Sequence, residues 1–146
     1  MIANERQYRI TKAWVERFSD SAHQVTETND TLDPLIRAAM AAQYESQVEE
    51  LQHEIDAYEA LRSGHVTTLD VESLTALPDA LIQARIAAGL TQKELAARLG
   101  LKEQQIQRYE TTQYSGASLE RVQAVVDALG VRIREHLILP PPEKAS

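Results

Sequence analysis

Apolar residues recur at helical spacing along most of this chain. Between Asn4 and about Val25, the residues Tyr8, Ile10, Trp14, Phe18, Ala22 and Val25 fall near one side of a helical wheel and predict a first helix. A polar run at residues 26–31 breaks it. Asp33 and Pro34 then open a second, long helix: Asp caps the free N–H groups, and Pro at the first helical position loses no hydrogen bond. It runs to about Arg62 and stops at Ser63-Gly64. Within it Ala41, Tyr44, Val48, Leu51, Ile55 and Tyr58 alternate at spacings of three and four, a heptad seam. Two readings of that seam stand side by side. One is a hairpin in which the long helix packs on the Trp14/Phe18 face, because short connections make consecutive helices antiparallel neighbours. The other is an intermolecular coiled coil or a docking surface for a partner. The two can coexist.

Residues 65–76 form a linker in which Val66, Leu69, Val71 and Leu74 alternate in part, compatible with a short strand. From Val131 to Leu139 the chain also alternates and is rich in β-branched residues, so a strand is an alternative to a last helix there. The two strands could pair within a chain or across a dimer. Pro140-Pro141-Pro142 stops any element, and residues 140–146 read as a mobile tail.

The densest pattern lies between Leu90 and Glu110, LTQKELAARLGLKEQQIQRYE. Thr91 is a natural N-cap and Glu94, three residues on, completes a capping box. Leu95, Ala96 and Leu99 give the helix one buried stripe, and Gly100 sits where it must stop and turn, a place for left-handed backbone. Leu101 re-enters the core. A second helix follows with Ile106 and Tyr109 inward and Lys102, Gln104, Gln105, Gln107 and Arg108 outward. A helix, a short glycine turn and a polar second helix are the parts of a helix-turn-helix DNA reader.

These residues resemble the Cro/cI-type (XRE) family of helix-turn-helix domains. The resemblance is carried by Leu90-Thr91-Gln92, Glu94-Leu95-Ala96, Leu99-Gly100-Leu101, Ile106 and Glu110, and continues through Ser118-Leu119 and Ala128-Leu129-Gly130-Val131. It spans roughly residues 77–139. Two features depart from the family pattern: the turn after the second helix, Thr111 to Gly116, is longer, and Lys102-Glu103 stands where Ser or Thr is common. The resemblance implies a mainly α-helical lambda-repressor-like domain in which the Thr91-Gln92 pair contacts the DNA backbone. It also implies a buried, structural glutamate at Glu110, which is expected to pair with a basic residue such as Arg98 or to cap backbone. Small proteins joining such a domain to an acidic helical segment resemble antitoxins of toxin–antitoxin operons, which bind a toxin and repress their own promoter.

Composition narrows the class. At 146 residues the chain suits one ordinary domain or two small ones, and its 43% hydrophobic content supports a packed core. It has no cysteine, which excludes disulfides, thiolate metal sites and cysteine nucleophiles. The polar start MIANERQYRITK has no apolar signal region, and no apolar run is long enough to span a membrane, so the expected location is the cytoplasm, over the nucleoid. The net charge of −7 argues at first against nucleic acid. It is unevenly spread: residues 1–66 hold 12 acidic and 6 basic side chains, whereas residues 77–139 hold 7 and 8, a net +1. That balance predicts modest affinity per monomer, steep salt dependence and a need for dimers.

The candidate DNA contacts follow from geometry. Thr91, Gln92 and Lys93 lie at the start of the first motif helix, where unpaired N–H groups and the helix dipole favour a phosphate. Lys102, Gln104, Gln105, Gln107 and Arg108 lie on the second helix; Gln can bond adenine and Arg guanine bidentately in the major groove. Tyr114 and Ser115, in the following loop, are placed to touch the next phosphate. Glu103 is the discordant member, since it repels phosphate. No catalytic, metal or cofactor site is expected. His23, His53, His65 and His136 are scattered without ligand spacing, and Glu49, Glu50 and Glu54 read as a solubilising face. The sequence therefore predicts an N-terminal helical segment (1–64) for dimerisation or partner binding, a linker (65–76), a helix-turn-helix domain (77–139) and a tail (140–146). The function expected is a dimeric, autorepressing, antitoxin-like regulator on a palindromic operator, with the N-terminal helices as the place for a toxin partner; the rival is a protein-interaction module, toxin-neutralising or adaptor, with little or no DNA reading.

Overall fold

In the computed structural model, which describes residues 1–27 and 31–143, the chain is a helical hairpin followed by a bundle of four short helices. The hairpin consists of α1 (Glu5–Glu27) and α2 (Pro34–Arg62). Asn4 Oδ1 accepts the Gln7 N–H at 2.9 Å, and Gln7 Oε1 accepts the Ala3 N–H at 2.8 Å, a reciprocal cap on α1. Asp33 caps α2 by accepting from Leu35 N–H at 2.8 Å, with Pro34 at the first position. The antiparallel pairing is fixed at both ends: Arg62 bonds Glu5 at 2.9 Å, the Tyr8 and Tyr58 rings lie 5.0 Å apart, and Phe18 meets Tyr44 at 6.1 Å. The heptad seam of α2 is thus filled from within the chain.

One part of the expected α1 face is corrected. The inward residues are Tyr8, Thr11, Val15, Phe18, Ala22 and Val25, a strict three-four repeat, while Ile10 and Trp14 are 47% and 44% exposed on the outer flank. Trp14 stacks on Phe18 at 5.4 Å and carries the Arg17 guanidinium 5.4 Å from its ring centre.

After a linker with a single 3-10 turn at Leu74–Ala76, the bundle comprises α3 (Leu77–Ala87), α4 (Gln92–Leu99), α5 (Glu103–Thr111) and α6 (Leu119–Leu129). Its core joins Leu81, Leu95, Ala96, Ile106, Tyr114, Val125, Val126 and Leu129. A second core joins Ile2, Ile55, Tyr58 and Leu61 to Ile82 and Ile86. Helix α3 contributes to both, Leu81 to the bundle and Ile82 and Ile86 to the hairpin, so it is apolar on two sides and binds the two parts together.

The expected flanking strands are not formed. No strand occurs among the described residues, and residues 65–73 and 131–143 run without regular structure. Pairing between these two segments within the chain is thereby overturned, since neither has a ladder partner. The proposed break at residues 26–31 and the mobile tail fall partly on residues 28–30 and 144–146, outside the described residues. No helix among the described residues is long and apolar enough to cross a membrane.

Candidate nucleic-acid interface

The reading unit is built by its caps. Thr91 Oγ1 accepts the Glu94 N–H at 3.1 Å and Glu94 Oε2 accepts the Thr91 N–H at 2.9 Å, the capping box that starts α4. Gly100, at φ +67°, ends the helix in the left-handed conformation, and Leu101 N–H bonds back to the Ala96 carbonyl at 2.8 Å. Helix α5 starts differently from expectation. Lys102 has no side-chain acceptor, and Gln105 supplies the cap: its Oε1 accepts the Lys102 N–H at 2.9 Å while its own N–H bonds the Lys102 carbonyl at 2.9 Å.

That cap separates the two neighbouring glutamines. A bidentate bond to adenine needs both Oε1 and Nε2. Gln105 Oε1 is already engaged, whereas Gln104 is exposed with no hydrogen bond to the described residues. Arg108, one turn along on the same outer face, is likewise exposed and unpartnered. Gln107 Nε2 leans on Glu103 Oε1 at 3.4 Å, which tethers both to the helix surface. Thr91, Lys93, Lys102 and Ser115 are exposed, and Gln92 is half-buried with Nε2 donating to Glu110 Oε2 at 3.2 Å.

Two expectations are corrected. Tyr114 is only 7% exposed, and its ring stacks on Tyr109 at 5.5 Å and 3°. It belongs to the bundle core, and burial, followed by the nearby Glu110 charge, pushes its hydroxyl up to about 12. It is not placed to meet a phosphate. The long turn explains this: Gln113 and Tyr114 both take positive φ, +52° and +56°, and this folds the tyrosine back under α5.

The second correction concerns Glu110, which is buried as expected but pairs with Arg85, not Arg98. Arg85 Nε bonds the two carboxylate oxygens at 2.7 and 3.2 Å; Nη1 donates to the Leu90 carbonyl at 2.8 Å, and Nη2 to the Ala3 carbonyl. Arg98 instead lies on the far side of α4 and donates to the Ala128 carbonyl at 2.9 Å, near the C-terminus of α6, where the helix dipole favours a cation. Sequence reading passed over Arg85. Its signal was its place in α3 between Ile82 and Ile86, in a helix apolar on two sides.

The start of α1 stands opposite the reader. An open groove runs between them, with Arg6 and Arg62 on one wall and Asp79, Thr91, Glu103 and Gln107 on the other. No group of acidic and histidine side chains among the described residues could hold a metal ion.

Capped helix, left-handed glycine, buried arginine–glutamate pair and an outward polar helix define a helix-turn-helix reader of double-stranded DNA. Residues 81–136 match the family model described as helix-turn-helix, and this part of the chain is a Cro/cI-type helix-turn-helix domain. The protein is a DNA-binding transcription regulator by class. No curated protein and no solved structure matches the chain significantly.

Proposed function

We propose that the protein is an autorepressing, antitoxin-like regulator that binds a palindromic operator as a dimer. The observation that supports this best is the pair Gln104 and Arg108, exposed and unpartnered on successive turns of α5. In this reading Gln104 takes adenine and Arg108 guanine or a phosphate, while Gln105 holds the start of the helix. Thr91, Gln92 and Lys93 take the phosphate at the α4 start, and Lys102, Gln107 and Ser115 flank it. One such domain spans too few base pairs for useful specificity, so two half-sites and two copies are needed.

The N-terminal hairpin, residues 1–64, is the partner-binding part in this proposal. Its support is the apolar flank of Ile10 and Trp14, left uncovered after the α1–α2 seam is filled. A toxin-like protein partner would dock there, on the acidic side of the molecule.

The test is binding to the DNA upstream of the protein's own reading frame, at two salt concentrations, comparing wild type with Gln104→Ala plus Arg108→Ala. Salt-sensitive binding that the double variant loses supports the reading. A folded wild type that binds no DNA at low salt overturns it and leaves a protein-interaction module, which the exposed Glu103 and the acidic hairpin then favour.

A further inference from the structure

The segment after α6 has no place in its own chain. Gly130 ends the helix at φ +68°, and Val131 N–H makes the last backbone bond, to the Val126 carbonyl at 3.2 Å. Beyond it, in residues 132–143, no group hydrogen-bonds to the rest of the described chain. Ile133, Leu137, Ile138 and Leu139 are 42%, 80%, 95% and 78% exposed. Unpaired backbone and alternating aliphatic side chains are a template for strand pairing.

We infer that residues 131–139 pair with the same segment of a second copy as a two-fold antiparallel ribbon, and that this ribbon holds the dimer. The occupant is set by the sequence of the segment. In a pairing centred on Glu135, Val131 of one copy faces Leu139 of the other, and Ile133 faces Leu137, twice over by symmetry. All four aliphatic residues at odd positions then meet on one face. Arg132, Arg134, His136 and Ile138 share the other. Shifting one chain by one residue would place Leu137 and Leu139 opposite arginines and break up the aliphatic face, and a two-residue slip would set Glu135 against Leu137 or Ile133, so the register is specified. Two pairs are mismatched: Glu135 against Glu135 at the centre, and Arg132 against Ile138 on the other face. The ribbon starts one residue after α6, so it ties two readers together without a flexible spacer, as half-sites one DNA turn apart require. The inference rests on the dimeric reading proposed above.

The full chain tests it, because Ile133 and Leu137 lie outside both cores and make no hydrogen bond to the rest of the described chain, so substituting them leaves the fold intact. Wild type sediments as a dimer, and Ile133→Asp plus Leu137→Asp raises the dimer dissociation constant by tenfold or more at an unchanged melting profile of the monomer. Glu135→Gln, which removes the like-charge contact, tightens the dimer. The protein has no cysteine, so single cysteines report register. Glu135→Cys oxidises to a linked dimer, because residues directly opposite in such a ribbon have Cα atoms about 4.5–5.5 Å apart, within disulfide reach. Arg134→Cys, opposite position 136, does so far more slowly. A monomeric wild type, or a dimer indifferent to the aspartate pair, overturns the proposal; the second result moves the interface to the hairpin. Equal cross-linking at 134 and 135 overturns the register. A tail-paired dimer that binds no promoter DNA would refute DNA reading and leave the ribbon standing.

Discussion

Replacing Glu110 with alanine should destabilise the protein more than any single change on the outer face of α5. The carboxylate is 4% exposed and Arg85 is 3% exposed, so solvent cannot take over for either partner. With Glu110 gone, Arg85 keeps only the Leu90 and Ala3 carbonyls, two neutral acceptors for a buried charge, and Gln92 Nε2 loses its acceptor. Breaking a buried pair in this way costs about 3–5 kcal/mol, against a total stability on the order of 5–15 kcal/mol for a protein of ordinary kind. Arg85→Met should cost a similar amount, because it leaves the carboxylate with Gln92 as its remaining donor. The double variant Arg85→Met with Glu110→Leu removes both charges. It leaves two carbonyls and one amide short of a partner, about 1 kcal/mol each, so it should lose about 3 kcal/mol, less than the sum of the two single losses by at least as much. Urea denaturation followed by helical circular dichroism measures all four proteins in one thermodynamic cycle. If Glu110→Ala costs under about 1 kcal/mol, or if the two single losses simply add in the double variant, the pair does not carry the contact between α3 and α5.

Other outcomes follow from the same geometry. Gln104→Ala should relax base preference at one operator position by about 1–3 kcal/mol, whereas Gln105→Ala should lower thermal stability by about 0.5–2 kcal/mol as a lost cap and leave base preference alone; competition binding with point-substituted operators, alongside melting curves, separates them. Gln113→Gly relieves a positive φ, about 1–2 kcal/mol, against about 0.5–1 kcal/mol of added freedom in the unfolded chain and the weak 3.3 Å bond from Gln113 to Asp79, so it should leave the melting temperature equal or slightly raised; a clear fall would mean the turn is unstrained. Tyr114 is held neutral by burial to about 12, so the unfolded chain loses this proton first as pH rises past about 10. Its contribution is whole below pH 10 and is lost between about pH 10 and 12, on the order of 2–3 kcal/mol. Tyr58 shifts the same way by burial, so Tyr114→Phe should flatten the alkaline fall in stability only in part, and a curve the variant does not change would contradict the assignment.

Where the sequence was legible, one local rule decided the outcome. The capping box Thr91/Glu94, the glycine at 100 and Asp33-Pro34 at the head of α2 depend on neighbours three or four residues apart, and each appears where its pattern placed it. The α2 seam was legible too, since a heptad has to be covered by something. Its partner on α1 was only half legible: Ile10 and Trp14 are apolar, but they miss the repeat set by Tyr8, Val15, Phe18 and Ala22. The interface was harder for a different reason. Gln104 and Gln105 carry the same side chain, and only the helix start decides which one bends back to cap it. Tyr114 follows a break that reads as loop, and loops are normally exposed; two consecutive left-handed residues, rare outside glycine, turn it inward. Arg85 was invisible because its partners are Ala3, 82 residues away, and Glu110, 25 away, and no periodicity reports contacts at that distance.

Those same long-range contacts bear on how the hairpin and the reader act together. Ile2 is 3% exposed in the core shared by α2 and α3, and the next residue's carbonyl accepts from Arg85, which holds Glu110 on α5 and the Leu90 carbonyl just before α4. The start of the chain is therefore packed between the hairpin and α3, and is joined to the two motif helices through Arg85. A ligand on α1 or α2 could change DNA affinity only if it favours one arrangement of this node over another, and DNA would then change that ligand's affinity by the same factor. Substituting Ile2 by alanine loosens the node at a point that touches neither proposed surface. If hairpin and reader are coupled, that variant should lower DNA affinity at temperatures where both cores remain folded, while Ile2→Val retains most of it. Equal affinity in wild type and Ile2→Ala would mean that the hairpin supports the reader's stability and nothing more.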